Sequence, residues 1–278
     1  MKITAIIVSH NSENFLDKVI DSLSNQTIGP VSILIVDSGS SEIEYVQSKD
    51  GLDNVRVILR NNIGFCKANN EGVRQDNGES TYYLFINPDA LIAPDWLEKC
   101  ISYFDKPEND HVACISSPLI RYDPVHDKPI DSYDSLGIDM KWYGRWYDVG
   151  QGTAVSKHIS DAKALCKVKA ICGALILMKG QVARDLLQEN GQIFDEAFFM
   201  YKDDIELSLR IRQRGWDLML AMNLVAYHCR GWNNDRKKVP YWARITSVRN
   251  EIRLGYRYIP YMLPIYLLKY LYVRFIEK

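Results

Sequence analysis

The first half of the chain alternates short apolar runs with stretches whose apolar residues recur at helical spacing. Residues 4–8, 32–36, 55–59 and 82–86 are short apolar runs, which predict buried parallel strands. Helices are predicted over residues 14–24 and 66–74. Ser41 and Glu44 have capping-box spacing, which predicts the start of another helix, and Pro94 is expected at the first position of a further one. This alternation predicts an α/β fold with a Rossmann-like, mostly parallel sheet flanked by helices.

Ligands of such a sheet bind beyond the C-terminal ends of its strands. Polar side chains fall at those ends, and we expect them along one edge: Ser9, Asp37, Asn61 and Asp89. The second half is less regular. It predicts hairpins or loops over 121–155, strands over 168–171, 174–178 and 221–227, a helix over 204–214, and a helical segment over 241–276 that is interrupted around Pro260 and Pro264.

Composition and charge narrow the functional classes. The 278 residues suffice for one large α/β domain with a short appendage, and the net charge of −1 gives no reason to expect nucleic acid as a partner. Residues 230–278, however, carry 11 Lys and Arg against 3 Asp and Glu. This basic tail predicts an anionic membrane surface as neighbour, with a solvated helical face as the alternative. Six scattered cysteines and the lack of a secretory leader favour a cytoplasmic protein.

Several groups at the predicted sheet edge suit a nucleotide and a metal. Asp37 could accept hydrogen bonds from a nucleobase or ribose, or could close a turn. Gly64 precedes a predicted helix, and a backbone that allows close approach beside a helix N-terminus favours a diphosphate. Asp89, in Asn87-Pro88-Asp89, is placed to hold Mg²⁺ or Mn²⁺ together with phosphate oxygens and water, unless it belongs to a plain turn.

A cluster of acids marks the second half: Asp195, Glu196, Asp203, Asp204 and Glu206. These acids alternate with aromatic residues, and carboxylates in apolar surroundings are costly unless they are paired or used. A helix that starts near Asp203 would keep them ionised through its dipole, so that one could act as a general base. Capping of that helix is the alternative. His228 could ligate a metal or be a hydrogen-bonded structural residue.

Taken in chain order, these motifs resemble the family 2 glycosyltransferases, and within them the bacterial rhamnosyltransferase-like branch. The matching motifs are Val8-Ser-His-Asn11, Ile35-Val-Asp37-Ser-Gly-Ser-Ser41, Asn62-Ile-Gly-Phe65 with Asn70-Glu-Gly72, Asn87-Pro88-Asp89, Cys172-Gly173-Ala174, Phe194-Asp195-Glu196 with Phe199-Met200-Tyr201, Asp203-Asp204-Ile-Glu206-Leu, and His228. The resemblance runs from Ile3 to about residue 231 and implies a GT-A fold. We expect a catalytic domain over 1–231, with a nucleotide-binding half over 1–116 and an acceptor and catalytic half over 117–231, and a helical, membrane-associating segment over 232–278.

The resemblance also implies roles for individual residues. Asp204 is expected to be the catalytic base, and Asp89 and His228 are expected to bind Mg²⁺ or Mn²⁺. The nucleotide is expected to contact Ser9, His10, Asn11, Asp37, Asn62, Gly64, Asn70 and Asn87. The sugars are expected near Gly173, Ala174, Tyr201 and Asp203.

The chain departs from the family pattern in a few places. Asp203 replaces the usual Glu, and Glu206 the usual Asp, with charge kept in both cases. Asn87-Pro88-Asp89 supplies one acid where a D-x-D motif has two, which bears on metal dependence. Gly231-Trp-Asn-Asn stands where small residues are more usual, which bears on the choice of acceptor.

These expectations describe an inverting, metal-dependent glycosyltransferase of surface-polysaccharide synthesis, located in the cytoplasm or at the inner face of the membrane. dTDP-rhamnose is the favoured donor, with a UDP-linked hexose or galactofuranose as the alternative, and the acceptor is a saccharide, lipid-linked or not. A nucleotidyltransferase would need a glycine-rich, basic loop after the first strand, which the sequence lacks. A non-catalytic sugar-nucleotide-binding or membrane-scaffold protein would be expected to lose the acids.

The C-terminal segment has two further alternatives, packing on the catalytic domain and a homodimer interface.

Overall fold

The structure is a computed structural model that describes residues 1–157, 164–229 and 239–277. The strands in these ranges are β1 (Ile3–Ser9), β2 (Val31–Ser38), β3 (Val55–Arg60), β4 (Tyr82–Ile86), β5 (Ala90–Ile92), β6 (Val112–Ser116), β7 (Leu119–Asp123), β8 (Lys128–Ser135), β9 (Ile138–Met140), β10 (Trp146–Asp148), β11 (Leu165–Lys167), β12 (Leu175–Lys179), β13 (Asp217–Ala221) and β14 (Ala226–His228). The α-helices are α1 (Leu16–Ser24), α2 (Glu44–Gln47), α3 (Phe65–Gln75), α4 (Trp96–Phe104), α5 (Gly180–Asn190), α6 (Asp203–Gln213), α7 (Tyr241–Arg257) and α8 (Leu263–Phe275).

A central mixed sheet has the strand order β11-β13-β6-β12-β4-β1-β2-β3. The strands from β4 to β3 are parallel, and β12 runs antiparallel between β4 and β6. β1 is buried at every position, because both faces of the sheet are covered. Ala5 and Ile7 pack in the cluster that includes α1 and α4, whereas Ile6 packs in the cluster that includes α3, α5 and α6. The predicted α/β sheet is confirmed, and strands from both predicted halves share it.

A smaller sheet, in the order β5-β14-β7-β8, lies beside the end of β4. β14 pairs antiparallel with β5 and parallel with β7, which sets His228 opposite Ala90 and Arg121. β8 pairs with β7 and carries Asp134. This sheet therefore gathers residues that are far apart in the chain around the turn that holds Asp89.

Two predicted helix starts are wrong. Ser41 is not an N-cap, because α2 begins at Glu44 with Ile43 at the N-cap position and no side-chain cap. The N–H of Ser41 instead donates to Oδ1 of Asn11 at the end of β1. Pro94 does not begin a helix. The chain first pairs with β14 through β5, and α4 starts only at Trp96.

Strand predictions in the second half need similar corrections. Residues 221–227 do not form one strand, because β13 pairs with β6 in the central sheet and β14 pairs in the smaller one. Residues 168–171 form no strand, since pairing with β13 is made earlier, by β11. The predicted interruption of the C-terminal helical segment is confirmed, because α7 ends at Arg257 and α8 begins at Leu263, with Pro260 between them. Pro264 itself lies in the first turn of α8, where proline's missing N–H has no partner to lose. The predicted boundary at 231/232 and the Gly231-Trp-Asn-Asn motif lie outside the described residues.

The C-terminal helices form a hairpin, and α8 has a largely apolar exterior. Tyr266 and Val273 are buried. We call the following side chains, each 42–67% exposed, the α8 apolar surface: Ile265, Leu267, Leu268, Leu271, Tyr272 and Phe275. No helix within the described ranges is long and apolar enough to cross a bilayer.

Candidate active site

A cavity of about 650 Å³ opens beyond the C-terminal ends of β1 and β4. The predicted site residues that line it are His10, Asn87, Asp89, Gly173, Ala174, Tyr201, Asp203, Asp204 and His228. Residues that the sequence analysis did not single out also line it, among them Trp146, Asp148, Trp242 and Ser247. The sheet edge predicted from the strand pattern is thus the edge at which the cavity lies.

Backbone donors hold the side chain of Asp204 at the cavity. Asp204 lies in the first turn of α6 and is half-buried. Its Oδ2 accepts a hydrogen bond from the N–H of Gly173 at 3.1 Å, and its Oδ1 accepts one from the N–H of Ile205 at 2.8 Å. A carboxylate has about four acceptor sites, so it can still accept a hydrogen bond from a substrate hydroxyl. The geometry allows Asp204 to act as a general base.

Gly173 leaves little room for a side chain beside Asp204. A Cβ on residue 173 would lie 3.2 Å from Cβ of Asp204 and 3.5 Å from its Oδ2. Gly173→Ala should therefore displace the carboxylate and lower kcat by about 10-fold, because small errors of position are expensive in catalysis. Steady-state kinetics with the nucleotide sugar should show an unchanged KM. Gly29→Ala, whose Cβ would have no neighbour closer than 3.9 Å, is the control. An unchanged kcat in Gly173→Ala would contradict this account.

Asp203 and Asp204 have different electrostatic environments although they are adjacent. Burial and the charge of Asp204 raise the pKa of Asp203 to about 8. Burial also raises the pKa of Asp204 above its ordinary value of 3.8, but the hydrogen bond from Gly173 opposes this shift. At neutral pH Asp203 is therefore mostly protonated, and the hydrogen bond from Gly173 favours the charged form of Asp204.

The other acids of the cluster are bound to protein groups. Asp195 forms an ion pair with Arg257, and Glu196 forms one with Arg74 at 2.8 Å. Glu206 pairs with Arg210 at 2.9 Å. These three acids thus have structural partners, which leaves Asp203 and Asp204 as the members of the cluster that line the cavity.

Asp89 and His228 face each other across a second part of the cavity. Nε2 of His228 lies 3.3 Å from Oδ1 of Asp89. Ligand atoms about 2.1 Å from a common Mg²⁺ or Mn²⁺ are about 3 Å apart when they subtend a right angle, so this spacing fits a shared divalent cation. Within the described residues no cluster of three or more His, Cys, Asp and Glu could hold a metal. A cation here would need further oxygens from a diphosphate and water.

Asp134 orients the imidazole of His228. Its Oδ2 lies 2.8 Å from Nδ1 of His228, which leaves Nε2 directed at Asp89. Burial lowers the pKa of His228, but the charge of Asp89 and the hydrogen bond with Asp134 outweigh it and raise the pKa to about 9. A carboxylate behind a histidine is the usual support for a metal-binding imidazole. The imidazole is therefore protonated at neutral pH, and a bound cation would have to replace its Nε2 proton. The fit to a hard divalent cation rests on the spacing of Asp89 and His228 and on the support from Asp134.

The predicted nucleotide-binding residues at the ends of β1 and β2 form one hydrogen-bonded loop cluster. The carboxylate of Asp37 accepts from the N–H groups of Gly39 and Ser40, so it closes the turn that was its alternative role. Ser9 Oγ contacts the hydroxyl of Tyr45 at 2.8 Å. Asn11 has a φ of 51° and binds the next loop through its side chain. His10 is the member of this cluster that lines the cavity.

Asn62, Gly64 and Asn70 lie outside the lining of this cavity and have contacts within the protein. Asn62 Oδ1 accepts from the N–H of Gly64 at 3.3 Å. Gly64 has a φ of +79°, and a Cβ there would lie 2.4 Å from the ring of Phe199. Asn70 is fully buried, and its side chain binds the backbone of Ile193 and Phe194. Asn70 is therefore a structural support of the acid-rich segment, which we define as residues 193–206. No contact in the structure supports a role of Asn70 in nucleotide binding.

Comparison with known proteins identifies the family. The family model for glycosyl transferase family 2 matches residues 4–161, which is more than half of the chain. The rhamnosyltransferase WbbL of Escherichia coli (strain K12) is 26% identical over 239 residues, or 80% of this chain and 81% of that protein. The O-antigen chain rhamnosyltransferase RfbN of Salmonella typhimurium is 30% identical over 112 residues, or 38% of this chain and 34% of that protein. An uncharacterized glycosyltransferase of Haemophilus influenzae is 29% identical over 121 residues, 42% of this chain and 36% of that protein.

Solved structures of low sequence identity share the fold. GalNAc-T7 with UDP, GalNAc and Mn²⁺ superposes with a TM-score of 0.68 at 16% identity, covering 94% of this chain and 49% of that one. The mannosyltransferase PcManGT from Pyrobaculum calidifontis, with GDP-Man and Mn²⁺, gives a TM-score of 0.58 at 16% identity, covering 99% and 70%. The GT-A fold implied by the sequence resemblance is confirmed. The fold and the family-model match together make this chain a member of glycosyl transferase family 2.

Proposed function

We propose that the chain is an inverting, metal-dependent glycosyltransferase that moves rhamnose from dTDP-rhamnose to a hydroxyl of a surface-polysaccharide or lipid-linked saccharide. One observation carries this proposal. The half-buried carboxylate of Asp204 shares a cavity with the Asp89–His228 pair. A base for the acceptor and a pair of ligands for a cation that would neutralise the departing diphosphate would thus share one cavity.

In the proposed reaction the acceptor oxygen attacks the anomeric carbon while the bond from that carbon to the diphosphate oxygen breaks. Asp204 takes the hydroxyl proton, and the bonding electron pair leaves with the diphosphate. A single displacement of this kind inverts the anomeric configuration. Asp89 and His228 would hold Mg²⁺ or Mn²⁺, which neutralises charge on the diphosphate when bound. His10 and Asn87 line the same cavity on the side of the β1 and β4 ends and would contact the nucleotide.

Similarity to the relatives favours rhamnose. WbbL is aligned over most of both chains, and it and RfbN are rhamnosyltransferases. The alternative donor is a UDP-linked hexose or galactofuranose, since GalNAc-T7 and the S. aureus protein TarS were crystallised with UDP. A panel of dTDP-rhamnose, UDP-hexoses and UDP-galactofuranose, with Mn²⁺ or Mg²⁺, tests the proposal. We expect nucleoside diphosphate release and the largest rise in Tm with dTDP-rhamnose. Stabilisation without release, even with a lipid-linked acceptor present, would favour the non-catalytic binding protein.

We also propose that the α8 apolar surface lies on an anionic membrane at the cytoplasmic side, with a homodimer as the alternative. Positive charge contributes less to membrane binding than the sequence implies, because three basic residues of this segment form ion pairs within the protein. The pairs are Arg244–Glu277, Lys269–Glu251 and Arg257–Asp195. Exposed Leu and Phe side chains must supply most of the binding free energy.

The double variant Leu268→Glu/Phe275→Glu should therefore lose vesicle binding. Each side chain contributes roughly 1.5–3 kcal/mol when it is fully buried, so the bound fraction should fall at least about 10-fold in flotation with phosphatidylglycerol vesicles. Val125→Glu, at a residue 83% exposed on the β7–β8 hairpin, is the control. If wild type does not float and the double variant changes from dimer to monomer in sedimentation, the surface is a dimer interface instead.

A further inference from the structure

Helix α7 contacts the acid-rich segment at several points, although the sequence assigns it to an appended segment. Arg257 forms the ion pair with Asp195, and the hydroxyl of Tyr258, just after the helix, donates to Oε1 of Glu206 at 2.6 Å. Trp242 and Ser247 line the catalytic cavity. α7 is therefore packed on the catalytic half near Asp204.

The loop before α6 has an unusual backbone. Phe199, Tyr201 and Lys202 have φ values of 58°, 67° and 64°. Residues other than glycine rarely adopt this region, and such conformations persist only when surrounding groups hold them. Lys202 directly precedes Asp203, the first residue of α6. The conformation of this loop therefore sets the direction in which the first turn of α6 presents Asp204.

Asn250 of α7 binds this loop. Its side chain is fully buried, and its Nδ2 lies within hydrogen-bond distance of the carbonyl oxygens of Phe198 at 2.9 Å, Met200 at 3.0 Å and Tyr201 at 2.8 Å. Its two N–H groups are thus shared among three acceptors. Its Oδ1 accepts from Arg253 at 2.7 Å, which fixes the orientation of the amide. A buried amide whose two N–H groups are shared among three carbonyls of one loop is well suited to hold an unusual backbone. The carbonyl of Phe198 also accepts from the N–H of Met200.

We propose that Asn250 is a positioning residue for glycosyl transfer, which holds the loop 198–202 so that Asp204 points at the acceptor hydroxyl. The inference rests on the proposed role of Asp204 as the base. It makes α7, which lies beyond the residues matched by the family model, part of the catalytic unit. The membrane-contacting role is then confined to α8.

Asn250→Asp tests this role, because it keeps the shape of the side chain but turns an oxygen toward three carbonyl oxygens. We expect kcat for nucleotide-sugar turnover to fall about 10–100-fold, with the KM for the donor within about 3-fold. The matched control is Glu251→Gln, the adjacent buried residue, which pairs with Lys269 of α8. This control should lower Tm but keep kcat. Asn250→Ser, which keeps one donor, replaces Asn250→Asp if the latter does not fold. The inference is wrong if the Asn250 variant keeps the kcat of wild type. It is also wrong if Glu251→Gln lowers kcat as much as the Asn250 variant does.

A double-mutant cycle separates this inference from the proposed function. A residue that acts through Asp204 should lose its effect once Asp204 is replaced. We therefore expect the Asn250 variant that lowers kcat in the wild-type background to reduce the residual rate of Asp204→Asn by less than about 2-fold. A full additional loss in that background would overturn the positioning role while the function stands. A near wild-type rate for Asp204→Asn alone would instead show that the proposed base is wrong.

Discussion

Replacing Asp204 with asparagine should reduce turnover by about 10²–10⁴-fold, the contribution typical of a general base. Asparagine has nearly the same shape, and its Oδ1 can still accept a backbone hydrogen bond, but its amide cannot take a proton from the acceptor. Binding of the nucleotide should persist, because Asp204 accepts hydrogen bonds from Gly173 and Ile205 and is not bonded to His10 or Asn87, the residues proposed to contact the nucleotide. The measurement is the rate of nucleoside diphosphate release, with the thermal shift on adding nucleotide as the test of binding. A rate near that of wild type would exclude Asp204 as the base.

Asp203→Asn is the matched control, with the same change one residue earlier. Because the pKa of Asp203 is raised to about 8, this residue is neutral at pH 7, and asparagine imitates its protonated form. We expect a rate within about 10-fold of wild type. A loss as large as that of Asp204→Asn would mean that the two residues act as one unit and that their assignment has to be revised.

The pH–rate profile should carry the signature of the same base. A base must be ionised, so the rate is lost as pH falls through the pKa of Asp204. Since burial raises this pKa above 3.8, the acid limb should lie above the range of an ordinary aspartate. Gly173→Ala removes or weakens an opposing hydrogen bond and should move the limb to still higher pH. If the rate of wild type and of Gly173→Ala is lost only at the pKa of an ordinary carboxylate, the buried environment described for Asp204 is wrong.

The parts of the site that could be predicted from sequence are those set by local pattern. A buried strand shows as a short apolar run, so the ends of β1 and β4, and with them Asp89, follow from spacing, whereas His10 and Asn87 follow from the family resemblance. The start of α6 at Asp203 followed from helical spacing and the acids before it. In each case the residue and the element that positions it are neighbours in the chain.

Supporting residues were missed where the contact joins distant segments. Asp134 lies 94 residues from His228, in a stretch that was predicted only as hairpins or loops. Asn250 lies about 50 residues from the loop that it binds, in a segment for which the sequence leaves open a membrane surface, packing on the catalytic domain and a homodimer interface. The resemblance predicts that Asn70 binds the nucleotide, because Asn70 belongs to a loop motif. In the structure its amide instead binds the backbone of a residue 124 positions away. Such pairings depend on sheet order and helix docking, which periodicity does not encode.

Removal of the divalent cation should have the second large effect. With EDTA present we expect turnover to fall at least about 100-fold and to return with excess Mn²⁺, because the charge on the leaving diphosphate would otherwise go unneutralised. Asp89→Asn removes a charged ligand, and added metal should not restore its rate. Full activity in EDTA would exclude the metal role and leave Asp89 and His228 as a structural ion pair.

Asp134→Asn distinguishes a metal-binding imidazole from a structural one. Asparagine can still accept a hydrogen bond from Nδ1 of His228, but it lacks the charge that makes the imidazole a better ligand. Loss of such a partner typically weakens metal affinity by 10–100-fold, so half-maximal activity should need about 10–100 times more Mn²⁺, with kcat recovered at saturation. The control is Asp123→Asn, which alters a comparable pair with His126 at the surface. If Asp134→Asn instead lowers kcat at every Mn²⁺ concentration and shifts the midpoint no more than the control, His228 serves the fold of the smaller sheet and the cation must be held elsewhere.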